Sequence, residues 1–238
     1  RVGPHDGMFT QLMFEFIQDF NKKNNAHLNT LGILHEDTLW GSDSGSTQNK
    51  MAKEQGYEVI EKISYKASTT TLTSEVQRLK LKDPDVLLPS QYTADAFLNT
   101  AQELDYNPKL LIAQNAGYVD PTFISTLGDK AEGVISRSPF NTDLAKTIPM
   151  IGTINKIFKK HSGGRDLSDV PARAFTGFMA LAVAINNAGS TDPEKIREAL
   201  VNLDIPGEAL IVPYRAVKFG PDGQNEAVRG VLMQVQNG

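Results

Sequence analysis

Between Thr30 and Ser136, short apolar runs alternate with amphipathic stretches, and this alternation limits the possible folds more than any other feature of the chain. The runs are Thr30-Leu31-Gly32-Ile33-Leu34-His35, residues 57–64, Asp85-Val86-Leu87-Leu88-Pro89, Lys109-Leu110-Leu111-Ile112-Ala113 and Gly133-Val134-Ile135-Ser136. Continuous apolar runs of this length suit strands covered on both faces. The intervening stretches predict helices over 42–55, closed by Gly56, and from Thr73 or a neighbouring Thr to Leu81. Two more follow over 94–104 and about 121–127. Upstream, Met8, Phe9, Leu12, Met13, Phe16, Ile17 and Phe20 share one broad helical face. Asp6 stands where it could cap that helix, and the polar cluster 21–25 is expected to end it. Strands alternating with helices predict an α/β fold: a parallel, doubly wound sheet with helices on both faces.

The pattern changes after Phe140. A helix within 141–161 carries Ile148, Ile151, Ile154 and Ile157, and Gly163-Gly164 breaks it. Residues 172–188 form a long Ala-rich helix stopped by Gly189. Asp192-Pro193-Glu194 starts another that runs to about Leu203, with Pro in the first turn and acids at its positive end. Strands are predicted over 209–217, at Lys218-Phe219 and over 231–235, with a hairpin turn at Gly220-Pro221-Asp222-Gly223. The helices of 141–204 have no strands of their own. Their apolar residues, among them Phe175, Phe178, Leu181, Val183 and Ile185, predict a further sheet that covers them.

Composition removes several function classes. The 238 residues are 40% hydrophobic and 22% charged, as in ordinary globular proteins. A net charge of −4 argues against nucleic acid as a partner. The absence of Cys excludes disulfides and thiolate metal sites, and the four His residues show no ligand spacing. No Gly-rich phosphate loop, Ser elbow, Cys/His pair or paired-carboxylate motif is present, so neither catalysis nor a cofactor is expected. No run approaches the ~20 apolar residues that cross a bilayer. No signal peptide is visible at the first residues.

Ligands of doubly wound sheets sit beyond the carboxyl ends of the strands. Here those ends are His35-Glu36-Asp37 through Trp40, Gln91-Tyr92, Gln114-Asn115 and Arg137-Ser138-Pro139-Phe140. Aromatic and neutral polar side chains dominate them, which suits a small uncharged or zwitterionic solute.

Several stretches, in this order and spacing, carry a family resemblance. They are Arg1-Val2-Gly3-Pro4-His5-Asp6-Gly7, Leu34-His35-Glu36-Asp37-Thr38-Leu39-Trp40-Gly41 and Ser74-Glu75-Val76-Gln77-Arg78-Leu79-Lys80. Asp83-Pro84-Asp85-Val86, Ala172-Arg173-Ala174-Phe175-Thr176-Gly177, Gly189-Ser190-Thr191-Asp192-Pro193 and Val217-Lys218-Phe219 complete the set. The chain resembles type I periplasmic binding proteins of the branched-chain amino-acid (Leu/Ile/Val-binding) class over essentially its whole length. The resemblance implies a two-lobed protein with three crossings between lobes, which closes on a ligand in the cleft. It also implies strand order 2-1-3-4-5 in the second lobe, built from 1–140 and 205–238. Residues 141–204 would then be helices of a first lobe whose sheet lies upstream. The implied role is capture of an amino-acid-like or related solute in the periplasm and its delivery to an ABC permease. That permease would be the sole contact with the membrane. Two rivals are a cytoplasmic amide- or amino-acid-sensing regulator on the same fold and an α/β enzyme.

The resemblance also nominates site residues. Trp40 matches an aromatic cleft wall, and Tyr92 matches a ligand contact with an apolar body and a polar tip. His5 and Asp6 match a hinge-side segment. Amino-acid binders of this class commonly carry a carboxylate where this chain has Gln114-Asn115. A buried ammonium without a partner charge is costly. Either the ligand lacks an α-amino group, or Glu36 or Asp37 takes over that pairing.

Overall fold

The computed structural model describes residues 1–114, 116–119 and 122–237. The chain divides into two compact units, one of Asp6–Arg137 with Leu232–Gly238 and one of Arg1–His5 with Ser138–Val231. It therefore passes between units three times.

The first of these units is the expected doubly wound layer. Helix α1 (Asp6–Asn24) precedes β1 (Thr30–Glu36), α2 (Leu39–Glu54), β2 (Glu58–Tyr65), α3 (Thr73–Lys82), β3 (Val86–Ser90), α4 (Ala94–Glu103) and β4 (Ile112–Ala113). A short helix, α5 (Phe123–Leu127), leads to β5 (Ile135–Ser138). Strands β2-β1-β3 pair in that order, and β1 is parallel to both neighbours. Leu87 bridges Leu111 in parallel, and Gln114 N donates to Pro89 O at 2.8 Å, which joins β3 to β4. Strand β4 runs parallel to β5. The order 2-1-3-4-5 follows.

Both faces of the sheet are packed. Along β3, Val86 and Leu88 join Met13, Phe14, Ile17 and Ile135 under α1. Leu87, between them, joins Val76, Leu79, Phe97 and Leu98 under α3 and α4. Successive side chains of a strand point to opposite faces, so one apolar run feeds two cores. Each large apolar side chain so buried contributes about 1.5–3 kcal/mol.

Helix α1 ends inside the polar cluster, at Asn24, as expected, and Asn25 at φ 50° turns the chain out. One boundary differs from expectation. Helix α2 starts earlier, at Leu39. Thr38 caps it by accepting from Gly41 N at 3.0 Å, so Trp40 lies in the first helical turn rather than in a loop. This helix sits unusually close to β1. A Cβ at Gly41 would lie 2.4 Å from Glu36 O, and one at Gly45 2.4 Å from His35 Cδ2. Ser44 and Gln48 of the same face reach Ser90 Oγ at 3.0 and 3.1 Å.

The second unit holds α6 (Pro149–His161), α7 (Asp169–Ala188) and α8 (Pro193–Val201), then β6 (Asp204–Pro206) and β7 (Ala216–Lys218), which pair antiparallel. Asp192 caps α8 through Lys195 N, with Pro193 in its first turn, as expected. Gly220–Gly223 is a turn, closed by Gly220 N to Gln224 O at 2.9 Å. The predicted strand over 209–217 is largely irregular chain; only Ala216–Lys218 is extended and paired. Strand β8 (Val231–Gln234) hydrogen-bonds beside β5.

Residues 205–231 belong to the same compact unit as 138–204, whereas the family resemblance implies 205–238 beside 1–140. The reason is packing: Ile205, Leu210, Ile211, Val212, Tyr214 and Val217 share one core with Ile151, Ala172 and Ala180. Part of the apolar surface of α6 and α7 is thereby buried. Another part is not, since Phe178 is 70% exposed, and Ile157, Met179 and Leu181 are exposed too.

The α2–β1 approach predicts that Gly45→Ala destabilises the protein by about 1–3 kcal/mol through overpacking against His35. Urea unfolding measures it, and an unchanged midpoint would contradict the contact. Burial pushes the Tyr65 and Tyr106 phenols up to about 12, from an ordinary value of 10.0. Their raised folded values favour the neutral form, so the stability they contribute is full below pH ~10 and is lost as pH rises towards ~12. Alkaline unfolding coincident with tyrosinate absorbance checks this.

Candidate functional site

The strand ends of the first unit gather most of the residues singled out from sequence. Glu36 closes β1 and is only 1% exposed. Its Oε1 accepts from Thr38 Oγ1 at 2.9 Å, and its Oε2 accepts from Tyr92 N–H at 3.0 Å. One carboxylate thus ties the start of α2 to the loop after β3. The consequence is the pairing of the two aromatics: the Trp40 and Tyr92 ring centroids lie 5.0 Å apart, tilted by 51°. Trp40 is half-buried and Tyr92 is 62% exposed, so the pair offers π surface at the carboxyl end of the sheet.

The loop around Tyr92 is held from two more sides. Gln91 Nε2 donates to Thr93 O at 3.0 Å, and Gly117 N donates to Gln91 O at 3.3 Å. Gly117 is the residue that permits this approach, since a Cβ there would lie 2.3 Å from Tyr92 O. Tyr65, at the end of β2, shares a hydrogen bond of 3.2 Å with Thr93 Oγ1.

Beneath the neighbouring strand ends runs a buried polar chain. Arg137 Nε donates to Gln114 Oε1 at 3.1 Å, and Gln114 Nε2 donates to Thr10 Oγ1 at 3.4 Å. An Arg137 terminal nitrogen pairs with Asp6 Oδ1 at 3.4 Å. The guanidinium carbon lies 3.6 Å from the Phe9 ring centroid, so the cation is also sheltered by a π face. Asp6 and Arg137 are the residues at which the chain enters and leaves this unit, so the ion pair joins two of the three crossings.

Of the expected site residues, Trp40, Tyr92 and Glu36 come together, and Gln114 and Asp6 belong to the Arg137 network. His5 is exposed and falls in the other unit. Asn115 lies outside the described residues. In the sequence Arg137 stands only as part of the strand-end stretch 137–140, with no role of its own. Its one signal there is an arginine inside an otherwise small and apolar strand, which only a buried counter-charge can satisfy. Among the described residues, no group of three or more His, Asp or Glu is placed to hold a metal ion, and no helix is long and apolar enough to cross a membrane.

A family model described as periplasmic binding protein matches residues 9–238. A Leu/Ile/Val-binding protein homologue of Brucella abortus (strain 2308) is 30% identical over 213 residues, which is 87% of this chain and 52% of that protein. This chain thus spans about half the length of that relative. Among solved structures, a leucine-binding protein from Thermotoga maritima superposes with a TM-score of 0.80 at 18% identity, covering 100% of this chain and 64% of that one. A solute-binding protein of an ABC transporter from Rhodopseudomonas palustris BisB5, in complex with 3,4-dihydroxy benzoic acid, gives 0.75 at 18% identity, covering 99% and 62%.

The buried ion pair predicts that Arg137→Met costs on the order of 3 kcal/mol, because Asp6 and Gln114 lose the guanidinium that they share. Arg137→Lys should fall between, keeping the charge without the planar fork. Denaturant unfolding distinguishes these, and a loss below about 1 kcal/mol in the Met variant would mean that the pair is only a solvated surface contact.

Proposed function

We propose, for a chain that belongs to the periplasmic binding protein family, that it captures a small solute at the strand ends of its 6–137 unit and hands it to an ABC-type permease. Capture without chemistry is the role that this site supports. It has exposed π surface, amides and hydrogen-bonded carboxylates, and among the described residues no nucleophile is placed beside a base. The observation that carries the proposal is the Trp40–Tyr92 pair, held in place by Glu36. Pre-organised aromatics bury area on a ligand with little loss of rotamer freedom, which is the economical way to bind a small solute tightly.

This face is the part of the protein on which the solute would sit. Residues 6–137 and 232–238 would form the lobe that carries this face, and 138–231 would belong to a second lobe. Periplasmic location follows from delivery to a permease. The fold leaves the ligand open, since one fold neighbour is a leucine-binding protein and another holds dihydroxybenzoic acid.

The test is calorimetric titration of the intact protein with a panel of small acids and amino acids, together with Trp40 fluorescence. Trp40→Ala and Tyr92→Ala should each weaken binding by about 1–3 kcal/mol, as buried aromatic anchors do. Unchanged affinity in both variants would remove this pair from the site. Recovery of a chemically altered solute would overturn capture without turnover.

A further inference from the structure

We infer that Asp222 is a site of spontaneous covalent modification, isomerising to isoaspartate through a cyclic imide, and that the product loosens the hold of Gln224 and Asn225 on residues 1–3. The sequence contains two Asp-Gly pairs, Asp6-Gly7 and Asp222-Gly223. Glycine favours ring closure at both, because without a Cβ its nitrogen is approached with least hindrance. The structure separates the two. Asp222 and Gly223 are exposed in the turn that follows β7. Asp222 Oδ1 accepts from Gln224 N at 2.9 Å, which folds the carboxyl group back along its own backbone, over the Gly223 amide. Gly223 N donates to Gly220 O at 2.9 Å, a bond that opens at little cost in an exposed turn. Asp6 is held otherwise. It is the first residue of α1 and pairs with the buried Arg137 at 3.4 Å, so its carboxyl group is drawn across to β5 and away from Gly7.

In the first step Gly223 N bonds to Asp222 Cγ, one Cγ–O bond breaks, and the carboxyl hydroxyl leaves as water with the amide proton. Water then adds back to the imide. Opening at Cγ restores aspartate. Opening at the main-chain carbonyl leaves the chain running through Cβ and Cγ, which is isoaspartate. Water is the only co-reactant, and the mass is unchanged. The product has one more carbon in its main chain and has lost the anchor on Gln224 N. The next two residues are buried and hold the start of the chain. Gln224 Nε2 donates to Gly3 O at 3.0 Å, Asn225 N to Arg1 O at 2.8 Å and Asn225 Nδ2 to Val2 O at 3.2 Å. A lengthened turn draws both side chains off these carbonyls.

The test is tryptic peptide mapping of the intact protein after weeks at physiological temperature, folded and in urea. In the folded protein the peptide 219–229 should give a second peak of equal mass that an isoaspartyl methyltransferase labels. It should form at least about tenfold faster than the corresponding product from the peptide that holds Asp6, because ordered backbone must open before it reacts. In urea the two pairs should convert at similar rates, which shows that the fold and not the motif sets the difference. Deamidation at Asn237-Gly238 changes mass and falls in a separate peptide, so it does not interfere. Asp222→Ser keeps an acceptor for Gln224 N–H without a carboxyl group, and should give no new peak. Amide hydrogen exchange over 1–3 and 224–227 should quicken in the aged protein and not in aged Asp222→Ser. An unaltered 219–229 peptide, or conversion of Asp6 as fast as Asp222 in the folded protein, would overturn the assignment of the site. Conversion with unchanged exchange would overturn its structural consequence.

Discussion

Both oxygens of the Glu36 carboxylate accept hydrogen bonds, and each reaches a different loop. One bond fixes Thr38, which caps α2 and sets the direction of its first turn, where Trp40 sits. The other fixes the backbone of Tyr92 itself. A buried carboxylate is stable only when its lone pairs are satisfied, so the site cannot rearrange either loop without exposing that cost. The aromatic pair is therefore held from beneath by a buried charge.

The same economy governs the approach of α2 to β1. Gly41 and Gly45 remove the two side chains that would hold the helix away, and Ser44 and Gln48 then reach across to Ser90. Helix, strand β1 and strand β3 are locked at the point where the loops begin. Rigid elements under short loops are what allow a binding face to keep its geometry between ligands. Arg137 does the corresponding work on the other side, spanning Gln114, Asp6 and the Phe9 ring in a single buried side chain. Since Asp6 and Arg137 bound the unit, the chain crossings are tied together by the network that also supports a strand end.

Much of the architecture is legible in the sequence because it follows from period and burial alone. Leu87 between Val86 and Leu88 must face away from both, so a continuous apolar run demands cover on two sides, and the helices between runs supply it. Asp192-Pro193 reads as a helix start because capping and the fixed φ of Pro are local. The strand predicted over 209–217 failed for the opposite reason. Its apolar residues are there to fill the core around Ile151 and Ala172, and no local signal distinguishes irregular chain pressed into a core from a strand.

At the site, the residue types were readable and their roles were not. Trp40, Tyr92 and Glu36 stand at strand ends in the sequence, and that position follows from the α/β alternation. From sequence Glu36 is a candidate partner for a ligand's ammonium, because a lone carboxylate beside a pocket is available by default. Tertiary structure spends it on Thr38 and Tyr92, residues that lie two and 56 positions away. Arg137 and Asp6 are separated by 131 positions, and nothing local announces their pairing. Sequence by itself determined the layered fold, the sheet-end location of the face and its mostly uncharged character, since these depend on periodicity and composition. Only the tertiary structure decided which charges the protein engages itself, because hydrogen bonds between distant loops are set by where the chain returns and not by its order.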